Sequence, residues 1–240
     1  MTKIDIGRTC GFLFLFVLLT SAVSGGLWAT PLEPADTAGV LTAIADGANQ
    51  FRSSIVIDLI SHVCIIALAG ALFLSFSSFS KSLALIGTLW RVVEGVILAI
   101  NEIVNSVLLV VAQEFVSATG TEAVALETLG RTLLVTEQWS YGIGMAFFAL
   151  GSLLFGILFV VKKAVPIALA WLGVIASLLA VAETWLGLAL PTLLFGASTN
   201  PLLILLFLPI MIYEVLLGIW LLRGGLNSKQ ARPDAVLTID

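Results

Sequence analysis

The chain has 240 residues, of which 60% are hydrophobic and 11% are charged, and its formal net charge is −4. Soluble domains carry roughly 25% charged residues. The low charged fraction of this chain, together with its mean hydropathy of +1.13, therefore excludes a soluble domain and indicates a protein of the membrane. The length leaves room for about six spans of ~20 residues. We predict an all-α polytopic membrane protein, a six-transmembrane-helix bundle in which residues 1–240 form one membrane domain.

The first apolar segment allows two interpretations. It follows Lys3 and Arg8 and ends near Trp28, as a membrane span would, but the small residues Ala22-Val23-Ser24 also suit signal-peptide cleavage. The apolar run continues past these residues, which favours a span. The predicted spans cover residues 11–28, 53–76, 83–111, 133–161, 165–190 and 201–222, and residues 223–240 form a tail.

Basic residues are unevenly shared between the two sets of connections. Cytoplasmic connections carry an excess of lysine and arginine, so the richer set predicts cytoplasmic N- and C-termini and a cytoplasmic tail. The outer set contains only Arg52 and Arg131. The richer set contains Lys3, Arg8, Lys81, Lys162, Lys163, Arg223, Lys229 and Arg232.

Two longer connections lie on the predicted outer side, at residues 29–52 and 112–132. Both contain scattered apolar residues, such as Val40, Leu41 and Ile44 in the first. Each could form a short amphipathic helix or an ordered loop that caps the bundle. Within the last span, Pro209 predicts a kink about one turn outward of Glu214.

The third span has a polar stripe. It contains Arg91, Glu94, Asn101, Glu102 and Asn105, and the last four follow Arg91 by 3, 10, 11 and 14 residues. At 3.6 residues per turn these positions share one helical face. Polar side chains within a membrane face the bundle interior or a water-filled cavity, so this span is predicted to supply the centre of any functional site.

Arg91 is predicted to form a buried ion pair. Glu94 follows it by one turn on the same face, and Glu214 in the last span has a similar depth when each residue rises 1.5 Å. The pair could be a structural clamp between helices, since breaking a buried pair is costly even where forming it gains little.

A second polar group is expected near the outer ends of the spans. Four acids reach similar heights there, and His62 lies one turn below Asp58 on the same face. The group could transfer protons, bind a cation, bind a ligand from outside, or simply be hydrated at the interface; mutual repulsion favours at least one protonated acid. The candidate polar pocket consists of Asp58, His62, Glu102, Asn105, Glu137 and Glu183.

Metal and cofactor sites are not predicted. Cys10 and Cys64 lie in different apolar segments without metal-ligand spacing, and His62 is the single histidine, so no metal site is expected. Nucleotide-binding loops and hydrolase motifs are absent from the sequence. No cofactor is identified, and the expected partner is the lipid bilayer, with a membrane-protein partner or a second copy as further interpretations and no nucleic acid.

Several short motifs resemble the prokaryotic multi-pass membrane family called domain of unknown function 4386, abbreviated DUF4386. The resemblance extends over nearly the whole chain and implies a multi-pass protein in the cytoplasmic membrane of a bacterium or archaeon, with no established activity. The family's basic-proline pattern is matched only approximately by Lys162-Lys163-Ala-Val-Pro166. The motifs are Arg8 with Gly11, Phe51-Arg52 with Asp58, residues 81–84 with Arg91 and Glu94, Pro166 with Leu172-Gly173-Val174, and residues 214–224.

Three classes of function stay open on the sequence. The first is an accessory, structural or partner-binding subunit of the cytoplasmic membrane, which we take as the leading expectation. The second is a small proton- or cation-coupled transporter that uses the intramembrane carboxylates. The third is a membrane-embedded enzyme that uses carboxylates as acid and base on a lipid or isoprenoid-like substrate. Whether the protein is an enzyme is undecided.

Overall fold

A computed structural model of the protein describes residues 3–29, 36–190, 201–224 and 226. This part of the chain forms seven α-helices and contains no β-strand. Six of the helices are long and apolar enough to cross a membrane, which confirms the predicted all-α bundle of six spans. The helices are α1 (Lys3–Ala29), α2 (Thr37–Asp46), α3 (Ala48–Phe76), α4 (Lys81–Phe115), α5 (Gly120–Lys162), α6 (Ile167–Ala189) and α7 (Pro201–Gly224).

The spans pack as a closed ring. Each long helix packs against the ones before and after it in the chain, and the first span, α1, also packs against the last, α7. Gly11 and Gly218 meet where α1 and α7 touch: a Cβ added to Gly11 would lie 2.7 Å from the Gly218 carbonyl oxygen. Small residues allow membrane helices to approach this closely. The packing of α1 into the ring favours the membrane-span interpretation of the first segment.

The two predicted outer connections differ from each other in structure. Residues 29–52 contain α2, whose first turn is capped by the Asp36 carboxylate accepting from Gly39 N at 2.6 Å. In the second, α4 continues to Phe115 and α5 begins at Gly120, so most of residues 112–132 is neither a loop nor a separate short helix. The apolar residues there extend the helical pattern of the spans, which explains the difference.

We call the side of the bundle where α1 begins and α7 ends the termini side, and the opposite side the α2 side. On the α2 side, Val40, Leu41 and Ile44 of α2 are buried against α3, α4 and α5. This amphipathic helix therefore caps the bundle, and its partners in the apolar cluster are Phe51, Leu108, Leu109, Val111 and Ala112.

A larger apolar core fills mainly the termini-side half of the bundle. It contains Phe76, Phe155 and Phe159, and the rings of Phe76 and Phe159 meet edge to face with their centroids 4.9 Å apart. Lys162 lies near its edge, with its ammonium 5.4 Å from the Phe76 ring centre. The polar residues of α4 lie between this core and the apolar cluster beneath α2.

Candidate intramembrane binding site

The polar stripe of α4 is buried. Arg91, Glu94, Asn101, Glu102 and Asn105 all have exposed fractions of 6% or less. They lie on the side of α4 that faces the centre of the ring, because their spacing repeats with the helical period. The lipid-facing side of the same helix carries exposed aliphatic residues instead.

Arg91 is held by three kinds of contact. Its Nη1 lies 3.0 Å from Glu94 Oε2 and 3.5 Å from the Ser152 hydroxyl of α5. Its guanidinium carbon lies 4.8 Å from the centre of the Phe148 ring, within the range of a cation–π contact. The aliphatic part of the side chain passes over Gly151, where a Cβ would come within 2.8 Å of it.

Glu214 of α7 lies close to this pair. It is 8% exposed, borders the same cavity as Arg91 and Glu94, and experiences the positive charge of Arg91. The structure therefore brings together the three residues of the predicted ion pair, with direct pairing between Arg91 and Glu94.

Two acids farther towards the α2 side accept hydrogen bonds from the amides of α4. Asn101 Nδ2 donates to Glu137 Oε1 at 3.3 Å, and Asn105 Nδ2 donates to Glu102 Oε2 at 3.2 Å. In both asparagines the amide nitrogen therefore donates to a carboxylate. The amide oxygen of each side chain has no hydrogen-bond partner among the residues that the structure describes.

Asp58 of α3 is held by α1. The Ser24 hydroxyl donates to Asp58 Oδ2, and one helical turn away on each helix the hydroxyls of Ser21 and Ser61 are 3.0 Å apart. Within the described residues, no lysine or arginine is paired with Asp58, Glu102 or Glu137. These three acids have neutral donors as their partners.

The ionisable and amide side chains among these groups border one cavity of about 420 Å³. It extends along α4 from Arg91 to Asn105, a distance of about 21 Å at 1.5 Å per residue. The helices α1, α3, α4, α5 and α7 contribute to its walls. The volume lies within the usual range of about 300–1,000 Å³ for small-molecule sites.

Several buried acceptor atoms of side chains around this cavity have no hydrogen-bond partner within the described residues. They include Asn101 Oδ1 and Asn105 Oδ1, and also His62 Nδ1 when the ring is neutral and protonated on Nε2. The three side chains are at most 7% exposed. Buried polar atoms are normally hydrogen-bonded, but these atoms have almost no accessible surface of their own, so a molecule in the cavity does not reach them in this arrangement of the side chains. Glu94 Oε2 forms the ion pair with Arg91 but has no well-directed hydrogen bond.

Five of the six members of the predicted polar pocket line the cavity: Asp58, His62, Glu102, Asn105 and Glu137. Glu183 does not border it and is half-buried on α6. The inward face of α6 runs through Ser177, Ala180 and Thr184, and Glu183 is turned about 100° away from Thr184 because each residue rotates the helix by that angle. Similar depth was therefore insufficient to bring Glu183 to the cavity.

Three further residues contribute that the sequence had not placed in the pocket. Asn101 had been noted only as part of the α4 stripe, and Tyr141 of α5 also borders the cavity. Ser24 had been considered only as part of a cleavage site. The sequence indication for Ser24 was its hydroxyl on an otherwise apolar helix, because a hydroxyl within the membrane requires a hydrogen-bond partner.

The acids are not clustered as metal ligands. Among the residues that the structure describes, no group of three or more histidine, cysteine, aspartate or glutamate side chains is arranged to hold a metal ion.

The family model described as Domain of unknown function (DUF4386) matches residues 9–225. No curated protein and no solved structure matches the chain. The match begins within the first span and includes the other five completely.

Proposed function

The chain belongs to the DUF4386 family, and we propose that it is a ligand-binding protein of the membrane whose cavity takes a small molecule with hydrogen-bond donors and positive charge. The observation that carries this proposal is the excess of acidic over basic side chains around the cavity. Three of these acids have neutral hydrogen-bond donors as their partners.

The charge around the cavity supports a cationic ligand. Five carboxylic acids border it, against the single guanidinium of Arg91. Those acids are Asp58, Glu94, Glu102, Glu137 and Glu214. Because charges interact strongly where water is scarce, a ligand that brings an ammonium group is favoured over one that brings a carboxylate.

The test is thermal unfolding of the protein in lipid nanodiscs with octylamine or with octanoate, which have equal chains and opposite charges. A ligand that binds the native state raises the melting temperature. We expect octylamine to raise it and octanoate to leave it unchanged. Equal shifts with both, or none with octylamine, would contradict the proposal.

A matched pair of variants locates the effect. Leu18 borders the cavity, whereas its neighbour Leu19 is 63% exposed and does not. Leu18→Trp fills the cavity and should abolish the octylamine shift, and Leu19→Trp should retain it. An octylamine shift that survives Leu18→Trp would place the binding elsewhere.

Proton- or cation-coupled transport is a second candidate, favoured by the distribution of the acids along the cavity. Between Glu94 and Glu102, which both border it, α4 rises about 12 Å. Towards the termini side the cavity gives way to a void of only about 10 Å³ beside Leu72, Phe155 and Phe159, which transport would have to open. Proton flux in reconstituted vesicles that is lost in Glu94→Gln would support transport; flux equal to that of empty vesicles would argue against it.

We also propose that the protein lies in the cytoplasmic membrane of a prokaryote with its termini side in the cytoplasm. The bias of basic residues supports this orientation. Cysteine labelling from outside the cell tests it: a cysteine at Thr42 on α2, which is exposed, should react, and protection of this position in intact cells would contradict it. Binding to a partner protein or a second copy, as expected for an accessory subunit, stays a prediction.

A further inference from the structure

We propose that Glu102 holds a proton while the cavity is empty and releases it when a cationic ligand binds, one proton for each ammonium group. This inference rests on the proposed binding function and adds the exchange that regulates it. Glu102 belongs to the acid-rich end of the cavity, which we define by Asp58, Glu102 and Glu137.

Glu102 has an acid from each of two neighbouring helices close to it. It lies on α4, which packs against α3 and α5, the helices that carry Asp58 and Glu137. The negative charges of Asp58 and Glu137 both act on it. Glu102 is also the most buried of the three acids, since it is 6% exposed and the other two are partly exposed. Burial and like charges both favour the neutral form of a carboxylic acid.

No positive charge compensates Glu102 within the part of the chain that the structure describes. Arg91 is paired with Glu94 and precedes Glu102 by 11 residues, which is about 17 Å along α4. His62 borders the cavity but forms no ion pair with an acid among the described residues. The helix α2, which also packs against α4, faces it with apolar side chains. The remaining ionisable residues that border the cavity, Tyr141 and Glu214, bring no positive charge.

The hydrogen bond of Glu102 is compatible with both forms of the acid. Asn105 Nδ2 donates to Glu102 Oε2 at 3.2 Å, and a protonated carboxylic acid can still accept such a bond while its other oxygen carries the proton. In the empty cavity that proton is on Glu102 Oε1. The amide of Asn105 therefore holds the side chain in place before and after the proton leaves.

The exchange conserves charge within the cavity. When the ammonium group arrives, the O–H bond at Glu102 Oε1 breaks, its electron pair stays on the carboxylate, and the proton passes to water. The carboxylate then pairs with the ammonium group, so the occupied site has the same net charge as the empty one. Because charges interact strongly where water is scarce, a paired carboxylate and ammonium group are favoured over an ammonium group beside a neutral acid.

The experiment measures how octylamine binding depends on pH. Equilibrium dialysis of labelled octylamine against the protein in phosphatidylcholine nanodiscs, with empty nanodiscs as the blank, gives the affinity. An alkylamine, like the lysine side chain, stays charged at about pH 6 and about pH 7. Release of one proton should make octylamine bind about tenfold more tightly at the higher pH. Equal affinity at the two pH values would overturn the exchange and leave the proposed function standing.

A matched pair of variants assigns the proton to one residue. Glu102→Gln removes the exchanged proton, and Glu183→Gln makes the same change on α6 at an acid that does not border the cavity. Glu183→Gln should keep the tenfold dependence, whereas Glu102→Gln should bind octylamine more weakly and equally at both pH values. A tenfold dependence that persists in Glu102→Gln would assign the proton to another group, such as His62, and overturn the inference.

Infrared spectroscopy detects the proton even if Glu102→Gln no longer binds octylamine. The carbonyl band of protonated carboxylic acids should be larger in the empty wild-type protein than in empty Glu102→Gln at neutral pH. Octylamine should reduce this band in the wild type and in Glu183→Gln. An equal band in the empty wild type and in Glu102→Gln would overturn the inference. If the wild type binds no octylamine at either pH, the proposed function fails and this inference fails with it.

Discussion

Both ends of the cavity hold acidic side chains, but these acids are compensated differently at the two ends. At the end nearer the termini side, Arg91 is paired with Glu94 and lies near Glu214. At the other end, Asp58, Glu102 and Glu137 accept hydrogen bonds from Ser24, Asn105 and Asn101. Helix packing therefore supplies a cation at one end and only neutral donors at the other.

This difference separates a structural role from a binding role. The Arg91 end is closed by Phe148 and the apolar core, and its charges have their partners within the chain. The acids of the other end border the cavity and have only neutral hydrogen-bond donors as partners among the described residues. We expect substitutions at the Arg91 end to change stability most, and substitutions at the acid-rich end to change binding most.

The largest loss of stability is expected for Arg91→Met. It leaves Glu94 and Glu214 buried without a cation, and breaking a buried pair costs about 3–5 kcal/mol. Thermal unfolding in detergent, with the yield of folded protein, measures the effect. The exposed Arg131 provides the control, since Arg131→Met should unfold like the wild type. Adding Glu94→Gln and Glu214→Gln to Arg91→Met should restore part of the stability; no recovery would show that the loss comes from packing alone.

A smaller loss is expected for Gly151→Ala. The new methyl group would press on the Arg91 side chain at 2.8 Å, and overpacking in a core costs about 1–3 kcal/mol. Gly70→Ala is a matched control, because nothing lies within 4 Å of a Cβ at that helical position. Thermal unfolding should rank Gly151→Ala below the wild type and Gly70→Ala level with it or above. The reverse order would contradict the described position of Arg91.

Ser24→Ala should cost less again, about 1 kcal/mol, the usual net contribution of one hydrogen bond. It removes the donor to Asp58 at the acid-rich end. The double variant Ser24→Ala with Asp58→Asn tests the coupling between them: if the pair interacts, the combined loss of unfolding free energy differs from the sum of the two single losses. Additive losses would show that the two side chains act independently.

The smallest change in stability is expected for Glu102→Gln, which keeps the shape and accepts from Asn105 as before. Hydrogen bonds of this kind in membranes average ~0.6 kcal/mol, so unfolding should change by no more than that. Octylamine binding should nevertheless weaken, because Gln cannot form a carboxylate that pairs with the ammonium group. If octylamine binding survives both Glu102→Gln and Asp58→Asn unchanged, the acid-rich end is structural, and the contrast between the two ends disappears.

The sequence was sufficient for the spans and for the face of α4. Arg91, Glu94, Asn101, Glu102 and Asn105 follow the helical period, and the cost of polar groups in lipid leaves only an inward orientation for them. Family membership also followed from short motifs. The sequence was sufficient in these cases because the helical period and the cost of polar groups in lipid constrain the same residues.

Relations between helices were harder to predict. Glu183 and Glu102 have similar depth, but depth says nothing about rotation of a helix, and Glu183 faces away from the cavity. The serine pair of Ser21 and Ser61 requires knowing that α1 packs on α3. The helical extensions beyond residues 111 and before 133 also escaped prediction, since hydropathy marks the membrane boundary and not the end of a helix.

The contact between Gly11 and Gly218 has a consequence for how the protein is made. Five of the six contacts around the ring join consecutive spans and can form as each helix leaves the insertion machinery, whereas this one joins the first span to the last. Until α7 is inserted, the wall of the cavity that α7 provides is missing, and the acids on α4 face lipid or a chaperone. A chain that stalls before its last span would expose buried charge to the bilayer, which gives membrane quality control a chemical signal of incomplete synthesis.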